Sequence, residues 1–266
     1  MALLTVQFRS QILNRMVTFQ AVIPADNNYF DPNNMEETES KYRTIYMLNG
    51  GCGDYSDWLV NTRAALWAQE KKIALIMPSG ENRFFIDNTN NQEMFGKFVS
   101  EELVEFTRKL FPLSCNREDT SIVGLSMGGY GAMVNALNYN NVFGAVGAFS
   151  TGFYLYEAVV GSDELSLDNK EVTYWTNILG DLSKLKSNTN DCYDLLRKLY
   201  DNHEIIPRMF LACGSDDAEA GQKANEKFRD FVASLNLEYI YDHEHGAHEW
   251  FYWDHCIEKF IDWLLK

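Results

Sequence analysis

The sequence predicts a single α/β domain built on a mainly parallel central sheet with helices on both faces. Two observations carry that expectation. β-rich runs alternate with amphipathic helical runs along most of the chain, and 266 residues are enough for one large core. A third observation refines it: two β-rich runs stand close together at the start with no helix between them, which predicts an antiparallel entry pair.

In chain order, LLTVQF and RMVTFQAVI form that pair. PADNNYFDPNNMEETESK, residues 24–41, is rich in turn-forming and charged residues and is expected to be a surface loop. TIYML, KIALIM, TSIVGL, GAVGAFS, RMFLACG and EYIYDHE follow as central strands. Between them Phe98, Val99, Leu103, Phe106 and Leu110 keep one helical face, with Glu101 and Glu102 expected in solvent. Ala224, Phe228, Phe231, Val232 and Leu235 keep a second face, and Trp253, Ile257, Phe260, Ile261 and Leu264 a third. About 151–204 the alternation breaks into short helical pieces without a convincing strand, so this is a cap-like insertion leaving the sheet after GAVGAFS. Ligands of open α/β sheets bind beyond the carboxyl ends of the strands, and the insertion is expected to roof part of that site.

The formal net charge of -15, from 23 basic and 38 acidic residues, opposes nucleic acid and anionic membrane surfaces. The start, MALLTVQFRS, has no basic region and an apolar run of only four residues, so neither a signal peptide nor a membrane span is expected, and the expected location is cytoplasmic. The five cysteines are scattered and odd in number, which suits reduced thiols.

Chemistry concentrates on GLSMGGYGA, residues 124–132, between strand TSIVGL and helix MGGYGAMVNAL. A G-x-S-x-G turn in that context holds a serine, Ser126, exposed in a strained backbone conformation, while Gly124 and Gly128 keep side chains out of its way. A lone serine is a weak nucleophile, so a histidine base and an orienting carboxylate are required, in the chain order serine, acid, histidine. The chain supplies both at strand ends: Asp216 and Asp217 after RMFLACG, and His245 and His248 after EYIYDHE. The two aspartates are equivalent on this reading. His248 is favoured over His245 because it follows Gly246 and Ala247, small residues suited to a loop passing tightly beside the nucleophile. For the oxyanion of the tetrahedral intermediate, Met127 supplies one backbone N–H. The glycine-rich NGGCGDYSDW after TIYML supplies another, with Gly51 the first choice and Cys52 the next.

At this point the sequence resembles the esterase-D type branch of the α/β-hydrolases, the group of tributyrin, feruloyl and acetyl esterases related to S-formylglutathione hydrolase. The resemblance covers nearly the whole chain and rests on LNGGCGDYSDW, PSGENRFFIDN, EELVEF, GLSMGGYGA, CGSDD and GAHEWFYWD. It implies an α/β-hydrolase fold, Ser126 as nucleophile and His248 as base. Asp217, three residues after Gly214, becomes the acid, and Gly51 and Met127 match the oxyanion positions. Asn49 stands where the family's histidine precedes the glycine loop.

The implied activity is a serine carboxylesterase acting on short-chain acyl or hydroxycinnamoyl esters of a small molecule, with no metal or organic cofactor. A homo-oligomer is compatible with the sequence. Cys52, Arg83, Phe85, Phe153 and Trp250, with Tyr154 and Tyr156 nearby, are candidates for the substrate pocket. Three other readings compete: a thioesterase like S-formylglutathione hydrolase, a zinc site on His243, His245 and His248, and a non-catalytic binding protein on a hydrolase fold.

Overall fold

The structure is a computed structural model. It describes residues 1–25, 41–153, 169–181 and 189–266. Most of the predicted surface loop, residues 26–40, lies outside the described residues, as do 154–168 and 182–188 of the predicted insertion, with Tyr154 and Tyr156.

The described residues form one large sheet from β1 (Ala2–Ser10), β2 (Arg15–Ile23), β3 (Arg43–Leu48), β4 (Ile73–Pro78), β5 (Thr120–Leu125), β6 (Ala145–Phe149), β7 (Arg208–Ala212) and β8 (Tyr239–Asp242). Their spatial order is β1-β2-β4-β3-β5-β6-β7-β8. The entry hairpin pairs antiparallel, Ala2 with Ile23 through Ser10 with Arg15, and β2 runs antiparallel to β4. Every pairing from β4 onward is parallel. The predicted strands match within two residues. The largest difference is at the edge, where β8 stops at Asp242 and leaves His243 and Glu244 in the following loop.

Period-two alternation sends neighbouring residues to opposite cores. Tyr46 and Leu48 of β3 join the larger core with α4 (Met127–Asn138), α6 (Cys192–Asp201) and α7 (Glu219–Ser234). Ile45 and Met47 join the second core with Trp58 of α1 (Asp57–Asn61), Ala64 and Ala68 of α2 (Ala64–Glu70), and α8 (Trp250–Leu264). Both faces are therefore covered, which is why the central strands carry long apolar runs.

The helix around Glu102 departs from expectation twice. It runs through Phe95–Lys97, a π turn at Phe98–Glu102, and α3 (Leu103–Leu110). The wider turn shifts the phase of the apolar face, so Leu110 ends exposed. Glu102 is not simply solvated. Its carboxylate accepts from the Ser10 hydroxyl and from the Gln11 backbone N–H, fastening the entry hairpin to this helix.

Within the predicted insertion, the described residues hold α5 (Asn169–Leu179) and α6. The α6 helix starts on an Asp191 cap that accepts from the Tyr193 and Asp194 N–H groups, and it buries Cys192, Leu196 and Leu199 in the larger core. That part belongs to the helical layer beside the sheet. The end of α5 is fastened to the segment after β4: Asn88 Nδ2 donates to the carbonyls of Thr176, Asn177 and Ile178, while Arg83 and Asn91 both donate to that of Asn177. Carbonyls at a helix C-terminus lack intrahelical partners, and these side chains satisfy them.

Candidate active site

The parallel strands deliver their carboxyl ends to one edge, and the loops that follow β3, β5, β6, β7 and β8 meet there. Ser126 follows β5 and caps α4 with φ 53° and ψ -115°, a conformation that L residues avoid at a cost of about 1–3 kcal/mol. The turn is over-determined. Ser126 N–H donates to Phe149 O at 2.8 Å, and its carbonyl accepts from Gly152 N–H at 3.0 Å and Tyr130 N–H at 3.2 Å. The flanking glycines are required for closeness of backbones rather than for access alone. A Cβ at Gly124 would lie 2.1 Å from Gly128 O, and one at Gly128 would lie 2.5 Å from the carbonyls of Leu48 and Asn49.

Those contacts bring the end of β3 against α4, and three side chains shape the loop there. Trp58 Nε1–H donates to Leu48 O at 3.1 Å. Asn49, fully buried, donates to Gly50 O at 2.7 Å and accepts from Gly80 N–H at 3.0 Å, tying the loops after β3 and β4 together. Asn82 Oδ1 accepts the Cys52 N–H at 2.7 Å. The Cys52 N–H is thereby engaged, whereas that of Gly51 makes no hydrogen bond among the described residues, and a Cβ on Gly51 would meet nothing within 4 Å. Met127 is the first residue of α4, where a helical N–H has no intrahelical partner.

Two aspartate–histidine pairs stand side by side. Asp217 Oδ2 lies 3.0 Å from His248 Nδ1, with the side chains 4% and 40% exposed. Asp216 Oδ2 lies 2.5 Å from His245 Nδ1, with exposures of 46% and 92%. Asp216 also accepts the Gly246 N–H at 3.1 Å, and its own N–H donates to Gly246 O at 2.9 Å, so it joins the loops after β7 and β8. Burial acts to raise the Asp217 pKa. The hydrogen bond and charge of His248, together with the nearby Ser150 side chain and the Ala218 N–H, outweigh it and hold the carboxyl below its ordinary value. The same burial and the neighbouring Asp217 push the Cys213 thiol up to about 12, so that cysteine stays protonated.

The three clustered histidines diverge. His243 Nδ1 is bonded to Cys213 O at 2.7 Å, while His245 and His248 face different aspartates. Among the described residues no three His, Cys, Asp or Glu side chains are grouped to share a metal ion.

The pocket candidates separate. Cys52 is exposed, and Arg83 and Trp250 are half-buried, with Trp250 edge-on to Trp58 and Trp253. Phe85 and Phe153 correct the expectation, since both are core residues with no surface for a ligand. Phe84 and Phe85 have positive φ, and the Phe85 ring turns inward against Gly80, while Phe153 stacks on Phe228 at 4.4 Å.

Residues 10–264 match the family model Esterase. The chain belongs to this esterase family. Over its whole length this esterase is 33% identical to an acetyl esterase of Caldicellulosiruptor saccharolyticus, covering 99% of that protein. Among solved structures it is similar to FphF, a fluorophosphonate-binding serine hydrolase of Staphylococcus aureus, at 26% identity and a TM-score of 0.84, over 100% of this chain and 98% of the other. It is also similar to the S-formylglutathione hydrolase FrmB of Staphylococcus aureus, at 25% identity and a TM-score of 0.82, over 100% and 99%. This esterase is a serine carboxylesterase with the α/β-hydrolase fold. No helix among the described residues is long and apolar enough to cross a membrane.

Four residues at the site escaped the sequence reading: Asn82, Ser150, Trp253 and the structural use of Asn49. A strand-end serine in AFST and a positive-φ position are the only local signals for Ser150, and neither distinguishes it from a turn residue.

Proposed function

We propose that this esterase cleaves short-chain acyl esters through an acyl-enzyme on Ser126. Ser126 Oγ attacks the acyl carbonyl carbon while His248, through Nε2, takes the hydroxyl proton. Asp217 fixes the imidazole by accepting from Nδ1. The N–H groups of Gly51 and Met127 hold the oxyanion. Collapse expels the alcohol, protonated by His248. Water, deprotonated by the same imidazole, then attacks the acyl carbon and releases the acid and free Ser126.

The observation that carries this reading is the buried Asp217 carboxylate bonded to the accessible His248, on the edge where the strained Ser126 turn also opens. The full-length relative named an acetyl esterase supports a small acyl group. Cys52, Arg83 and Trp250, none of them fully buried, remain the candidates for the substrate pocket among the described residues. The partner is a small-molecule ester, with nucleic acid disfavoured by charge, a homo-oligomer compatible and the cytoplasm the expected location. Thioester hydrolysis is the second reading, supported by the similarity to FrmB.

Ser126→Ala should lower kcat on a chromogenic acetyl ester by about 10⁴-fold or more and abolish labelling by a fluorophosphonate, with the Tm retained. Labelling of the variant at the wild-type rate would remove Ser126 from the mechanism. A panel of acetyl, butyryl and feruloyl esters beside acyl-thiol substrates ranks the acyl groups and the two readings.

A further inference from the structure

The strained turn at Ser126 persists only while its surroundings hold it, so whatever fastens those surroundings bears on the nucleophile. One anchor is the segment that leaves the sheet after β6. Gly152 N–H donates to Ser126 O at 3.0 Å, and Thr151 packs so close to α4 that a Cβ on Gly129 would lie 2.7 Å from its Oγ1. Thr151 is fully buried and lies past the end of β6, so its backbone N–H and C=O need partners from outside the strand ladder.

Asn225 supplies them. From α7 its buried side chain accepts Thr151 N–H at Oδ1, 3.2 Å away, and donates through Nδ2 to Thr151 O at 2.9 Å. An amide that gives to and receives from one residue pairs with that backbone as a neighbouring strand would. Nδ2 has a second proton, which it donates to Gly221 O at 2.9 Å, fixing the amide against its own helix. One turn further along α7, Phe228 stacks on Phe153 with 4.4 Å between centroids, a second contact with the same segment.

The same helix is tied to the acid. Asp217 precedes the Ala218 cap of α7, its Oδ1 accepts the Ala218 N–H at 2.7 Å, and Gln222 Nε2 donates to Asp217 O at 2.6 Å. A continuous series of contacts therefore runs from Asp217 through the start of α7 and the Asn225 amide to Thr151, Gly152 and the Ser126 carbonyl.

We propose that Asn225 is a positioning residue of this esterase: its amide braces the helix that follows the acid against the segment that holds the Ser126 turn, and so sets the nucleophile relative to Asp217 and His248. The inference rests on the Ser126, His248 and Asp217 reading. Its signature is slower chemistry at Ser126 with substrate binding intact.

The molecule contains a matched control. Asn135, also buried, donates to Gly131 O of its own helix at 2.8 Å and to the distant Phe85 O at 2.7 Å, but it fastens α4 to the segment after β4 and makes no bond to Thr151. The test measures Tm, kcat and KM on a chromogenic acetyl ester, and the rate of fluorophosphonate labelling, for Asn225→Ala, Asn225→Asp, Asn135→Ala and Ser126→Ala. Rates are taken well below each Tm, with kcat expressed per site titrated to completion, so that loss of folded protein does not enter. Asn225→Ala should lose about 10- to 100-fold in kcat and a similar factor in labelling rate, with KM within about threefold, because a small misplacement of reacting groups costs that much. Asn225→Asp keeps the shape of the side chain but cannot donate to Thr151 O when ionised, and should show the same defect. Asn135→Ala should lower Tm with kcat per site within about threefold of wild type. Wild-type kcat and labelling rate per site in both Asn225 variants, with Ser126→Ala inactive, would overturn the positioning role alone, as would an equal loss of kcat in Asn135→Ala. An active Ser126→Ala would overturn the nucleophile reading and this inference together.

Discussion

The two aspartate–histidine pairs use the same side chains, one residue apart in the acid loop and three apart in the histidine loop, yet they are built for different work. Asp216 and His245 face solvent, where an ion pair contributes little and is screened by salt. Asp217 is buried, receives the Ala218 N–H besides its bond to His248, and is kept from water. Composition does not separate the pairs. Burial and donors do: they fix one carboxylate against its histidine and leave the other as a tie between loops.

The largest expected break in this comparison comes from the histidines. His248→Ala should lower kcat/KM about 10⁴-fold or more, whereas His245→Ala should stay within about threefold of wild type, measured on an acetyl ester. Equal losses would mean that both pairs serve the reaction. The aspartates follow. Asp217→Asn should cost on the order of 10³- to 10⁴-fold in kcat because the amide can present the wrong partner to the imidazole. Asp216→Asn keeps an oxygen for the Gly246 N–H, so its effect should be a small loss of Tm with activity within a few-fold. The reverse order would move the acid by one position.

The smallest effect is on stability against pH. The Asp217 carboxyl sits below its ordinary value in the fold, so near pH 4 the unfolded chain binds more protons than the native one, and stability rises with pH there. The contribution is complete above the ordinary carboxylate pKa and is lost as pH falls through the lower native value. The Tm of wild type relative to Asp217→Asn should therefore be constant above about pH 5 and decline below about pH 4 in calorimetry. A difference that grows in acid would contradict the sign of the shift.

Much of this was legible in the sequence because it depends on local pattern. Strand and helix alternation, the serine turn and the order of acid and histidine loops follow from periodicity and strand-end position. Asp216 and Asp217 were not separable on that basis. Which of two adjacent loop carboxylates turns inward is decided by the Asp217 N–H bonding to Gly214 O and by the Ala218 N–H reaching back to Asp217 Oδ1. Ser150 and Trp253, 103 residues apart, and Cys52 and Asn82, 30 apart, meet only through the fold. Phe85 resembled a pocket aromatic because nothing in RFFID announces two consecutive positive-φ residues. Leu110 lost its phase to a π turn, which a 3.6-residue period does not anticipate.

The fastening of α5 bears on how this fold can diversify. Arg83, Asn88 and Asn91 grip main-chain carbonyls at 176–178, so they read the position of the helix end and none of its side chains. Such a joint is blind to the sequence it holds. The exposed face of α5 can be rewritten residue by residue while this attachment persists, and the sheet need not register the change.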